Sequence, residues 1–337
     1  MSRLFDRGLR VIENWIDENE NVELSSDKTK LMIHYGDIKQ IPEEIMFLVY
    51  LKEISIAHND LRSLPDTIGN LDNLREILIH ENRLVSLPES IGAEGRLKNL
   101  KILNIYGNAL KSLPASIGGL ENLTKLIING NELISLPETM GYLKNLRVID
   151  FNNNELTSLP KSIVFLDKIE QFSIGGNKFN SLPEFKKGDW PNIKKIILRH
   201  NELTSLTDSI GNLISLEELN VSENRLISLP SSIGNLKNLK WLDISANQIT
   251  LLPESLGNLV NLEFLNMLRN DIEFIPSSIK KLPKRSYDTG VTIIADRDII
   301  KKIDQMREGN ENINEMGKNI SKDVNIIEDW INTHKKF

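Results

Sequence analysis

One recurring asparagine constrains this chain more than any other feature. It stands at Asn59, Asn82, Asn108, Asn131, Asn154, Asn177, Asn201, Asn224, Asn247 and Asn270, and Gly36 occupies the same column one interval earlier. Eight of the ten intervals are 23 residues. The exceptions are one of 26, across Ala93, Glu94 and Gly95, and one of 24, within residues 186–191. Self-similarity at this period marks a stacked array, in which no unit buries its apolar face alone and all share one elongated core. The 337 residues therefore need not divide into the two or three domains that length alone suggests.

Each unit reads L-x-x-L-x-I/L-x-x-N-x-L-x-x-L-P-x-x-I-G-x-L, as in Leu123, Leu126, Ile128, Asn131, Leu133, Leu136, Pro137, Met140 and Gly141. Leu126 and Ile128 alternate with period two, so a short strand turns both inward. The asparagine amide can donate and accept where the chain leaves that strand, satisfying buried backbone groups of neighbouring turns. Proline fills one column ten times, from Pro42 to Pro276, fixing φ where no ladder N–H is needed, and Thr207 stands there once. Glycine at Gly69, Gly92, Gly118, Gly141, Gly211, Gly234 and Gly257 reads as the exit of a helical turn, with Val164, Lys187 and Lys280 replacing it elsewhere.

On these columns residues 22–282 resemble the leucine-rich-repeat superfamily, in the 23-residue LPxxIGxL class seen in Ras-group-related scaffolds and many bacterial proteins. The resemblance implies an α/β repeat: a right-handed solenoid of about eleven rungs, with a parallel concave sheet and 3₁₀ or short helical turns on the convex side. It also implies protein–protein interaction.

An array has two raw ends, each exposing core and strand edge, and the termini read as helical caps. In residues 1–21, Phe5, Leu9, Ile12 and Ile16 follow helical spacing, flanked by Leu4, Val11 and Trp15. In residues 283–337, Ile299, Ile300, Ile303 and Met306 mark a short helix, a polar stretch follows, and Val324, Ile327, Trp330 and Ile331 mark a last helix. The run Val11-Ile12-Glu13-Asn14-Trp15-Ile16 recurs in kind as Ile326-Ile327-Glu328-Asp329-Trp330-Ile331. Either both are caps of similar composition, or the last is a duplicated start element open to a partner or a second copy of the chain.

The sequence positions six, four, two and one before each asparagine are expected to face solvent on the concave side. The N-terminal third of that face carries His34, Tyr35, His58, Leu78, His80 and Tyr106, and the C-terminal third carries Arg199, His200, Trp241, Phe264, Leu268 and Arg269. Between them lies a small polar floor that includes Asn129, Gly130, Asn152, Asn153, Ser173, Gly175 and Gly176. Aromatic and arginine side chains supply most hot-spot energy, on the order of 2 kcal/mol or more each, so an extended segment or helix could lie between two anchors. Consecutive strands sit about 4.8 Å apart, which raises the question of a metal shared by His34, His58 and His80, with Glu53, Glu76 or Glu81 as further ligands. The same histidines would suit a pH-sensitive contact. The reading adopted is partner binding, with no metal and no cofactor.

The chain has no cysteine, which removes disulfides, thiolate metal sites and thiol nucleophiles together, including the catalytic cysteine of bacterial leucine-rich-repeat ubiquitin ligases. No G-x-S-x-G, H-E-x-x-H, P-loop or EF-hand spacing occurs. With 47 acidic and 41 basic residues the chain offers no electrostatic footprint for nucleic acid. No signal-peptide pattern or membrane-spanning run is present, so the expected location is the cytoplasm, or export by a route without a cleaved signal. The expected role is a non-catalytic scaffold for a protein partner in signal transduction. The alternatives are a secreted effector or adhesin engaging host proteins and the regulatory array of a larger GTPase-type system.

Overall fold

The computed structural model describes residues 2–283 and 291–308. Helix α1 (Ser2–Asp17) leads into an antiparallel hairpin of β1 (Val22–Leu24) and β2 (Lys30–His34). Parallel strands then follow in chain order: β3 (Glu53–Ala57), β4 (Glu76–His80), β5 (Ile102–Asn104), β6 (Lys125–Ile127), β7 (Val148–Asp150), β8 (Gln171–Ser173), β9 (Lys195–Ile197), β10 (Glu218–Asn220), β11 (Trp241–Asp243) and β12 (Phe264–Asn266). Strand β13 (Thr292–Ile294) adds one more beyond the eleven predicted rungs, and helix α2 (Arg297–Glu308) follows it. Equivalent columns pair in register, Leu103 with Leu126 and Leu126 with Ile149. Leu126 and Ile128 are fully buried, as period two requires.

The asparagine column performs the predicted satisfaction of buried backbone. Asn131 donates Nδ2 to the Ile105 carbonyl one rung back (2.9 Å), and its Oδ1 accepts the Leu110 amide (3.0 Å). A second ladder was not read from the sequence, although it recurs there. The exposed Asn73, Asn122, Asn238 and Asn261 each donate Nδ2 to a carbonyl 24 residues earlier, as Asn122 does to Lys98 at 2.8 Å.

Opposite the sheet, ten 3₁₀ turns run from Glu43–Phe47 to Ser277–Lys281 among the described residues. The prolines cap these turns with φ near the ring's own value, −65° at Pro42. Where Thr207 replaces proline, its hydroxyl accepts the Ser209 amide and caps the turn instead. Glutamates add a cap from rung to rung. Glu138 accepts the Lys161 and Ser162 amides, and Glu254 those of Ser277 and Ser278.

The glycine column has a different cause from the predicted helical exit. Gly69 and its equivalents do not adopt positive φ. They are glycine because a Cβ on Gly69 would lie 2.5 Å from the Ser90 carbonyl oxygen of the next rung. Close stacking of the turns, not handedness, selects the residue.

The 24-residue rung has no 3₁₀ turn. Trp190 takes the leucine column there, 1% exposed, against Phe172 and Phe185, with its indole N–H donated to the Ile163 carbonyl at 3.1 Å. At the N-terminal end Ile12 is fully buried, and Phe5 meets Phe47 edge-on with centroids 5.5 Å apart. Leu9, Trp15 and Ile16 pack against the core. Leu4, 72% exposed, and Val11 lie on the solvent side, because a helix laid across one rung buries only one stripe. At the other end Ile299 and Ile303 of α2 are buried, while Met306 is exposed. Val324, Ile327, Trp330, Ile331 and the repeated motif fall outside the described residues.

Candidate functional site

The sheet face begins from a backbone constraint. The residue before each column asparagine, and before Gly36 in the first rung, adopts the left-handed region in all eleven rungs: Tyr35, His58, Glu81, Gly107, Gly130, Asn153, Gly176, His200, Glu223, Ala246 and Arg269. The chain must turn sharply there to bury the asparagine beneath the next rung. For residues other than glycine and asparagine this conformation costs roughly 1–2 kcal/mol, and it projects Tyr35, His58, Glu81, His200, Glu223 and Arg269 into solvent.

In the first four rungs the rings form a continuous ladder. Tyr35 stacks on His58 with centroids 4.7 Å apart and planes 10° apart, and His80 stacks on Tyr106 at 4.8 Å and 8°. The two pairs meet at right angles, His58 edge-on to His80 at 6.3 Å. His34 instead bonds the Ser55 hydroxyl through Nε2 at 3.0 Å. His58 and His80 are thus engaged in ring contacts and His34 in a hydrogen bond, and among the described residues no group of three His, Asp or Glu side chains is placed to hold a metal. Burial, then His58 and His34 nearby, pushes the His80 pKa below its ordinary value, with Glu81 opposing.

The floor between the two ring groups carries small and polar residues. The Asn152 side chain accepts the Gly175 amide at 2.6 Å. At the far end Trp241 lies flat on Phe264 with centroids 3.4 Å apart and planes 7° apart. Phe264 is only 8% exposed, so it backs Trp241 rather than presenting a surface of its own. The expectation that all four columns face solvent fails here and at Ser55, Ala57, Gly175 and Ser222, all buried by adjacent rungs. At this end Lys195 pairs with Glu218 (2.9 Å) and Arg199 with Glu223 (3.0 Å), and His200 Nδ1 lies 3.2 Å from the same Glu223 carboxylate. Leu78 and Leu268 are half-buried and Arg269 is exposed.

Five members of the four-before column serve the backbone. The side-chain oxygens of Asn104, Asp150, Asn220, Asp243 and Asn266 accept the amide two residues on. This caps N–H groups that a tightly curved sheet leaves unpaired, and it withdraws those side chains from partner contact. On the flank, an open groove of about 430 Å³ is lined by Glu170, Lys194, Glu217 and Lys240; both lysines pair with Glu217, and Glu170 pairs with Arg147.

Comparison with known proteins agrees with this geometry. A family model described as leucine-rich repeat matches residues 72–133 and 121–179, and one described as leucine-rich repeat region matches 188–284. No curated protein matches the chain. Among solved structures, PEPR1-AtPEP1 is similar at 26% identity and TM-score 0.59, over 78% of this chain and 42% of that one. YopM from Yersinia enterocolitica WA-314 is similar at 25% identity and TM-score 0.55, over 78% of this chain and 49% of that one. An internalin from Listeria monocytogenes shares the fold at 19% identity and TM-score 0.53, over 80% of this chain and 86% of that one. The chain spans about half or less of the PEPR1 and YopM chains. From its stacked asparagines, its parallel sheet and both family matches, this chain belongs to the leucine-rich-repeat proteins.

Proposed function

We propose that the chain is a non-catalytic scaffold that holds a protein partner along its concave sheet face. The observation that carries this reading is the placement of aromatic stacks at both ends of one sheet. The Tyr35–His58–His80–Tyr106 ladder and the Trp241–Phe264 pair flank a floor of small residues. From β5 to β11 is six strand spacings, roughly 29 Å, a span suited to an extended segment or a helix of several turns. Rigid, pre-stacked rings lose little conformational entropy on binding, which favours them as anchors. The similar structure PEPR1-AtPEP1 carries the names of two components, which supports a partner-binding reading.

The test uses the whole chain as bait. Capture of a partner should be lost with Trp241→Ala and with Tyr106→Ala, and kept with Tyr142→Ala, an exposed change on the opposite side. Loss with Tyr142→Ala and retention with both sheet-face variants would place the interface elsewhere.

A further inference from the structure

The two ends of the sheet face differ in how their charges are used. At the Trp241 end, Lys195 and Arg199 meet acidic partners within the array, while Arg269 makes no ion pair among the described residues. In the first four rungs the face columns hold one base, Lys30, taken by Glu53 at 2.7 Å. Glu76 and Glu81 make no ion pair among the described residues.

Glu81 is held in an unusual position. Its backbone is left-handed (φ 53°), and its carboxylate lies over Gly107, with Oε1 3.0 Å from where a Cβ on that glycine would sit. Any larger residue at 107 would displace it. The same carboxylate acts electrostatically on both His80 and Tyr106, the two rings of the second stack. His80 keeps a buried Nδ1 with no hydrogen-bond partner, and burial lowers its pKa, which disfavours the charged ring. A neutral ring pair beside an unpaired carboxylate attracts cations. A planar guanidinium suits it better than an ammonium, because it can lie on a ring and offer two N–H groups to one carboxylate.

We infer that the N-terminal end of the face is a guanidinium site, where an arginine side chain of the partner lies on the His80–Tyr106 stack and pairs with Glu81. This rests on the sheet face being the docking surface, and it specifies the partner's chemistry: a segment presenting arginine. A metal ion is the rival cation, and the perpendicular ring geometry gives it no convergent ligands.

The experiment titrates the full chain, with isotope-labelled histidine rings, with the capped tripeptide Gly-Arg-Gly and its neutral citrulline counterpart. The arginine peptide should shift the His80 and His58 ring signals saturably, and citrulline should bind about three- to tenfold more weakly, the range of an exposed charge-assisted contact. Glu81→Gln should remove that preference with an unchanged melting temperature, and Tyr142→Ala, on the opposite side, should leave it intact. Equal response to both peptides, or an unchanged preference in Glu81→Gln, would overturn the site. If the site fails while partner capture still depends on Trp241, the scaffold reading survives alone. If the arginine preference holds but capture ignores every sheet-face change, the scaffold reading fails by itself.

Discussion

The carboxylate of Asp243 accepts two hydrogen bonds from Ser245, from its amide at 3.0 Å and its hydroxyl at 2.7 Å. Burial nevertheless pushes the Asp243 pKa above the ordinary carboxylate range, against the pull of those bonds. An acid with a raised folded-state pKa binds its proton more readily folded than unfolded, so the fold loses stability as pH rises from the ordinary value through the folded one. Asparagine already fills this column at Asn104, Asn220 and Asn266 and makes the same amide bond. Asp243→Asn should therefore raise the melting temperature by a few degrees at pH 7 and give no gain below the ordinary aspartate range. Thermal scans at both pH values decide it; an equal gain at both would remove burial as the cause.

Trp241 and Phe264 stack as one unit but carry different loads. Trp241 is half-buried at the surface of the pair and Phe264 is buried beneath it. Phe264→Ala should cost about 3 kcal/mol in denaturant unfolding, and Trp241→Ala about 1 kcal/mol, mainly the lost ring stacking. Equal losses would show that both rings belong to the core.

The left-handed column makes a prediction of opposite sign at two positions. Ala246 has φ 50° and Gly130 has φ 65°. Ala246→Gly should stabilise the chain by up to about 1 kcal/mol, and Gly130→Ala, whose Cβ meets only ordinary van der Waals contact with the Gly107 backbone but the wrong dihedral, should destabilise it by about 1 kcal/mol. Shifts in denaturation midpoint at constant slope measure both.

Trp190 stands where other rungs have leucine, and Leu is the consensus substitution. Trp190→Leu should still destabilise by about 2–4 kcal/mol, because it opens a cavity beside Phe172 and Phe185 and strips the Ile163 carbonyl of its indole donor. A neutral result would mean that the neighbouring rung closes over the gap.

How much was legible follows from what a period can encode. The asparagine ladder, the inward Leu126 and Ile128 and the turn-capping prolines were all readable, since stacking makes each residue's spatial neighbour the same column one unit on. The site residues were readable as columns, which is why the rings of Tyr35, His58, His80 and Tyr106 were found together. Their contacts were not. Column position carries no ring orientation, so the stacking of Tyr35 on His58 and of His80 on Tyr106 could not be read from it.

The repeat by itself determined the architecture, because only stacked copies can bury an apolar face that recurs every 23 residues. Tertiary structure decided the rest through distances of closest approach. It determined that Gly69 makes room for the Ser90 carbonyl, that Phe264 lies under Trp241, and that the column before each asparagine turns left-handed. It also left Glu81 without an ion pair among the described residues, beside the His80–Tyr106 stack, since charge pairing depends on which side chains reach across adjacent rungs.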